Sequence, residues 1–159
     1  MPYPIAICQV QYRAVMGSRE TLLAYLGTLA PGDLLSSSST FGRGGSIRNL
    51  LVHTANTYQS WILQRGLGRD IPFTPYESVT TIDELARVFA PIDEAVFTFI
   101  ADGLDPDDTF PIDRPEGPRN VTRLELFTHV ITHEFHHKGQ ILSLSRALGY
   151  TPIDTDIIR

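Results

Sequence analysis

Four of the five histidines in this 159-residue chain fall within nine positions: His129, His133, His136 and His137. Neutral imidazoles ligate divalent cations, and two of them spaced i, i+4 project from one helical face about a turn apart. Core-facing positions of a bundle helix recur with alternating steps of four and three. From Leu126 that track reads Leu126, Val130, His133, His137, Gln140, Leu144, Ala147. Both ends are apolar, and the middle is polar where a core would want leucines. Burying two imidazoles without partners costs roughly 1–3 kcal/mol each, so a shared cation is the economical explanation of His133 and His137. His129 lies on the same side but about 80° around from His137, and His136 points further toward solvent.

A metal held tightly with a position open for chemistry needs a third protein ligand. His53 is the only other histidine in the chain. An isolated histidine at a helix edge often just hydrogen-bonds a carbonyl, so its case rests on elimination. Asn49, Asn56, Thr57 and Ser60 share its side of a helix and would suit a wet cavity. Residues 133–137 read HEFHH, which fits the H-E-x-x-H of zinc metalloproteases. In those enzymes the glutamate activates water and a third ligand follows downstream. Here no glutamate follows Glu134, no histidine follows His137, and Ser143 stands where an extended motif would place its third histidine. The protease reading is therefore the weakest of the alternatives. Glu134 is one residue from a ligand but about 100° around the helix, which places it on the flank or behind the ligands. Gln140, one turn past His137, could orient a metal-bound water or simply pack. These two are the candidate catalytic residues. Tyr58 and Trp61 read as core.

Four amphipathic helices must position these side chains. The first spans about residues 7–30, with Leu22, Leu23, Leu26 and Leu29 as its stripe and Pro31-Gly32 as its stop. Residues 34–45, LLSSSSTFGRGG, read as a loop. Ser46 can cap a second helix, with Ile47, Leu50, Leu51, Tyr58, Trp61 and Ile62 on its apolar face and Gly66 at its end. Thr81 with Glu84 is a capping box for a third helix, which Pro91 should kink. Pro-Glu-Gly-Pro at 115–118 could turn a short β-hairpin. Thr122 with Glu125 caps the last helix, and Gly149 terminates it. No repeat or composition shift marks a boundary, so residues 1–159 are expected to form one all-α domain, a four-helix bundle with connectors long enough to cross its end.

The remaining composition excludes several functions. The formal charge is −5, and the thirteen basic residues, twelve arginines and Lys138, are scattered rather than clustered. Nucleic-acid binding needs clustered positive charge, and no basic amphipathic face suits a membrane. Cys8 is the only cysteine, which rules out an intramolecular disulfide. The N-terminal MPYPIAICQV lacks a positive n-region, and no stretch reaches the roughly 18 apolar residues of a membrane span. A cytoplasmic location is expected.

Two stretches carry a resemblance: GSIRNLLVHTANTYQSWI around His53 and LFTHVITHEFHHKGQILSLSRALG near the end. They resemble the DinB/YfiT-like family of bacterial four-helix-bundle metalloproteins, whose pattern is a histidine, three residues, a second histidine, then Arg-Gly-Gln-Ile. Here that reads His133, His137, Lys138, Gly139, Gln140, Ile141, with lysine in place of the usual arginine. The resemblance implies an up-down-down-up bundle, often a homodimer. It places the metal triad on His53, His133 and His137, with zinc or nickel as the ion, or manganese or iron. It also implies a metal-dependent transferase or isomerase using a low-molecular-weight thiol such as bacillithiol or mycothiol, or a hydrolase, acting on a small molecule. A metal-binding stress module without turnover is the alternative.

Overall fold

The computed structural model describes residues 5–37, 45–105, 107–113 and 115–159. Short-range capping signals start three of the long elements. Ser46 Oγ accepts the backbone N–H of Asn49 and opens α3, Ile47–Tyr58. Thr81 and Thr122 each complete a capping box with Glu84 and Glu125, opening α4, Ile82–Ala101, and α5, Arg123–Ala147. Backbone donors, from Thr80 for Glu84 and from Thr122 for Glu125, hold both carboxyls below the usual glutamate range. Gly149 closes α5 with φ +94°, a left-handed conformation that costs a residue with a Cβ. α4 runs continuously through Pro91, with the proline on the exposed side.

Two expectations at the first helix need correction. α1 spans Ile5–Leu26, so it stops before residue 30, and Pro31 opens rather than ends an element. It begins the one-turn helix α2, Pro31–Leu35, because its fixed φ suits the first helical position and its missing N–H costs nothing there. The supposed loop from 34 thus starts inside a helix, and its residues 38–44 lie outside the described set.

Four long elements form the bundle, and their contacts give the directions. Arg19 meets Glu134 and Tyr25 meets Ser145, so α1 and α5 run parallel. Tyr12 packs on Phe97 and Arg19 on Phe89, so α4 opposes α1. His53 meets His137 and Trp61 meets His129, so α3 opposes α5. The order is up-down-down-up. Before α5, β1, Thr109–Ile112, pairs antiparallel with β2, Arg119–Thr122, in the expected hairpin. Among the described residues no helix is long and apolar enough to cross a membrane.

The α3 helix does not end as an α-helix. From Gln59 to Gly66 it continues in π geometry, which widens the turn and changes which face each later residue presents. Gly66 is required there by packing, since a Cβ would fall 2.5 Å from the Phe99 ring. Arg123 locks this end by donating to the carbonyls of Gly66, Phe99 and Gly103 while lying over Phe99.

The core is split. One apolar cluster holds Tyr12, Tyr58, Phe99, Phe127 and Val130, and the other holds Leu26, Leu50, Leu51, Leu85, Ile141 and Leu144. The polar layer of α5 lies between them in sequence, as the track predicted.

Candidate metal centre

His133 and His137 reach the centre from α5, and His53 from the opposing α3. Ring centroids are 5.1 Å apart for His53 and His133, 4.8 Å for His53 and His137, and 4.4 Å for His133 and His137. One nitrogen from each ring lies within 4.8 Å of the others. His137 Nδ1 faces Gln140 Oε1 at 2.7 Å. An amide oxygen only accepts, so that nitrogen carries the proton and Nε2 presents its lone pair. That lone pair points at His133 Nε2, 3.2 Å away.

The donor set fits a divalent ion. Two nitrogens about 2.0–2.1 Å from one tetrahedral zinc stand about 3.3 Å apart, close to the separation of the two Nε2 atoms. His133 Nδ1 is buried with no hydrogen-bond partner, so the protein's own side chains do not satisfy this ring. Burial, reinforced by the surrounding imidazoles, pulls the His133 pKa down to about 3. The ring is therefore neutral at physiological pH, the form that ligates. His136 is exposed, as expected, and so is His129. Gln140 does not stand ready for a water: its oxygen meets His137 and its nitrogen meets His136 Nε2 at 3.2 Å.

The sequence model of the DinB family matches residues 8–159. The chain belongs to the DinB family. Curated proteins give no match, so the relationship stands at the level of the family. Its three-histidine group could hold a metal ion, consistent with a DinB-like metal-binding protein.

Behind the histidines, this DinB-family bundle carries a charged network that sequence reasoning missed. Glu134 is 8% exposed and Arg19 4%. Arg19 Nε donates to Glu134 Oε1 at 2.8 Å and Nη2 to Oε2 at 3.2 Å, while Tyr58 Oη donates to Oε2 at 2.6 Å. Arg19 also reaches Asp93 at 2.7 Å, and Tyr12 donates to the same carboxylate at 2.6 Å. Burial opposes the Arg19 cation, but Glu134 and its other partners outweigh it and raise its pKa. Burial, then the Glu134 carboxylate, pushes the Tyr58 phenol up. Both phenols stay protonated donors. Glu134 thus sits on the flank, as expected, but turned inward and committed to Arg19 and Tyr58. A signal was present: Tyr12, Val15, Arg19, Leu22 and Leu26 make a core track in α1 with one charge inside it.

Lys138 is buried too. It donates to Ser18 Oγ at 3.0 Å and to the Thr155 carbonyl at 2.8 Å, tying the C-terminal segment to α1. Burial lowers its pKa. Trp61 packs against the core, as expected, but at its edge. Tyr58 is core, but Trp61, inside the π segment, is half-buried and faces His129 with ring centroids 5.2 Å apart.

Proposed function

We propose that this DinB-family chain binds one divalent ion, zinc or nickel, through His53, His133 and His137, and uses it to act on a small molecule. The reaction class is transfer or isomerisation with a low-molecular-weight thiol, or hydrolysis. The observation that carries the reading is the pair of Nε2 atoms 3.2 Å apart with the His53 ring against both. Such a buried arrangement is costly alone and natural around a cation. Imidazole ligands suit zinc and nickel. When bound, the ion supplies Lewis acidity that lowers the pKa of a water or a thiol. Three neutral rings leave the centre cationic, which favours an anionic group there.

The chain's own residues set the rest. Gln140 fixes the His137 tautomer by accepting from Nδ1. Glu134, the would-be base of H-E-x-x-H, has both oxygens engaged by Arg19 and Tyr58, so the protease reading loses its water-activating group. A cleft of about 510 Å³ opens beside His53, within the size range of small-molecule sites.

The test is turnover of thiol-transfer and ester-hydrolysis substrates by zinc- or nickel-loaded protein, with and without chelator. Activity that disappears on metal removal and returns on reloading supports the enzyme. One ion bound per chain with no turnover across the panel would favour the non-catalytic module.

A further inference from the structure

Two clefts flank the histidine cluster, and Trp61 lines both. The first, about 450 Å³, lies between the hairpin and α5 and includes His129. Its apolar walls are Ile112, Val121, Leu124, Leu126 and Trp61. Its charged rim is self-neutralised, with Arg119 donating to Glu125 at 2.9 Å, so neither sign dominates there. The second cleft includes His53 and has more hydrogen-bonding side chains on its wall, Thr57, Ser60, Thr74, Tyr76 and Glu77, set beside the apolar Phe73, Pro75 and Trp61. Asn56 holds its outer wall by pairing with the backbone N–H and carbonyl of Thr74. His133 lies between the lobes, 5.1 Å from His53 on one side and 5.7 Å from His129 on the other by ring centroids.

Resting on the metal reading above, we infer that the two clefts form one two-lobed site for a small amphipathic molecule. An aromatic or branched aliphatic group seats in the hairpin lobe. A hydrogen-bonding group bearing an amine or hydroxyls seats opposite, where Glu77 offers an acceptor. The atom that joins them is presented at the three histidines. Apolar walls contribute roughly 25 cal/mol per Å² of ligand surface covered, so the hairpin lobe discriminates by size and the opposite lobe by donors. The π segment matters here because it carries Trp61, the partition between the two.

The test uses zinc-loaded protein and three hydroxamates, each with the same metal-binding head. Benzohydroxamate should bind roughly 10-fold or more tightly than acetohydroxamate, because the phenyl group fills the hairpin lobe. Thr128→Trp, on the exposed rim of that lobe, should bring the ratio close to one, and Leu124→Trp does the same if the first variant fails to fold. Glycine hydroxamate should also gain over acetohydroxamate and lose the gain in Glu77→Gln. Equal wild-type affinities on zinc-loaded protein, or a phenyl preference that survives filling the hairpin lobe, would overturn the two-lobed site while leaving the metal reading intact. A chain that retains no zinc would overturn both.

Discussion

The α5 helix carries two inward-facing seams, one residue out of step, and they handle polarity in opposite ways. The first is Leu126, Val130, His133, His137, Gln140, Leu144. The second is Phe127, Ile131, Glu134, Lys138, Ile141, Ser145, every member of it buried. The first is apolar at both ends and polar in the middle; the second starts apolar at Phe127 and Ile131, is charged in the middle, and ends in Ser145, which accepts from Tyr25. In the second seam the charged heads find protein partners: Glu134 takes Arg19 and Tyr58, and Lys138 takes Ser18 and Thr155. In the first, two ring nitrogens face each other and a third atom has no partner. A polar layer completed by the protein is scaffold; one left incomplete is a place for a ligand. Buried ion pairs add little net stability over apolar packing, so the second seam matters most in fixing the register of α1, α3 and α4 against α5.

Breaking the completed seam should have the largest effect. Arg19→Met leaves the buried Glu134 without its cation, and unfolding in urea of metal-free protein should show a loss of about 3–5 kcal/mol. A loss below about 1 kcal/mol would mean that Glu134 escapes to solvent. In the incomplete seam, Gln140→Leu removes the acceptor that fixes the His137 tautomer. Competition with a chelating dye should then report a fall in metal affinity of about 10- to 100-fold.

Filling the incomplete seam should do the reverse. His133→Leu replaces an imidazole whose buried Nδ1 has no partner with a hydrocarbon, and metal-free protein should gain about 1 kcal/mol while metal binding collapses. The pH dependence sharpens the point. His133 titrates near 3 when folded and near 6.5 when unfolded, so the unfolded chain binds more protons between those values. Metal-free wild type should lose stability as pH falls from about 6.5 toward 3. His133→Leu should flatten the upper part of that decline, above the range where carboxylates titrate. The smallest effect belongs to the exposed His136: its alanine variant should shift metal affinity by about threefold or less.

What was legible in the sequence was local or periodic. The capping boxes at Thr81 and Thr122, the Ser46 cap and the Gly149 stop involve residues at most a turn apart. His133 and His137 stood out because they interrupt a leucine-like track, and His53 followed because no other histidine sat elsewhere. Arg19 interrupts its own track in the same manner, yet its partners, Asp93 and Glu134, are 74 and 115 residues away. Nothing in the spacing couples them. The π segment was hidden for a related reason: it ends at Gly66, where the close approach of Phe99 is a tertiary event. With it went the partial exposure of Trp61 at the edge of the core.

His53 is the only member of the triad that α5 does not supply, so it tests the inter-helix centre most directly. Zinc binding should be measured by calorimetric competition on wild type, His53→Ala and His129→Ala, each checked for native helicity. We expect one ion per chain in wild type, a loss of roughly 100-fold or more in affinity for His53→Ala, and at most an outer-shell loss, about 10- to 100-fold, for His129→Ala. Wild-type affinity in His53→Ala, together with loss of binding in His129→Ala, would contradict the account and confine the site to α5.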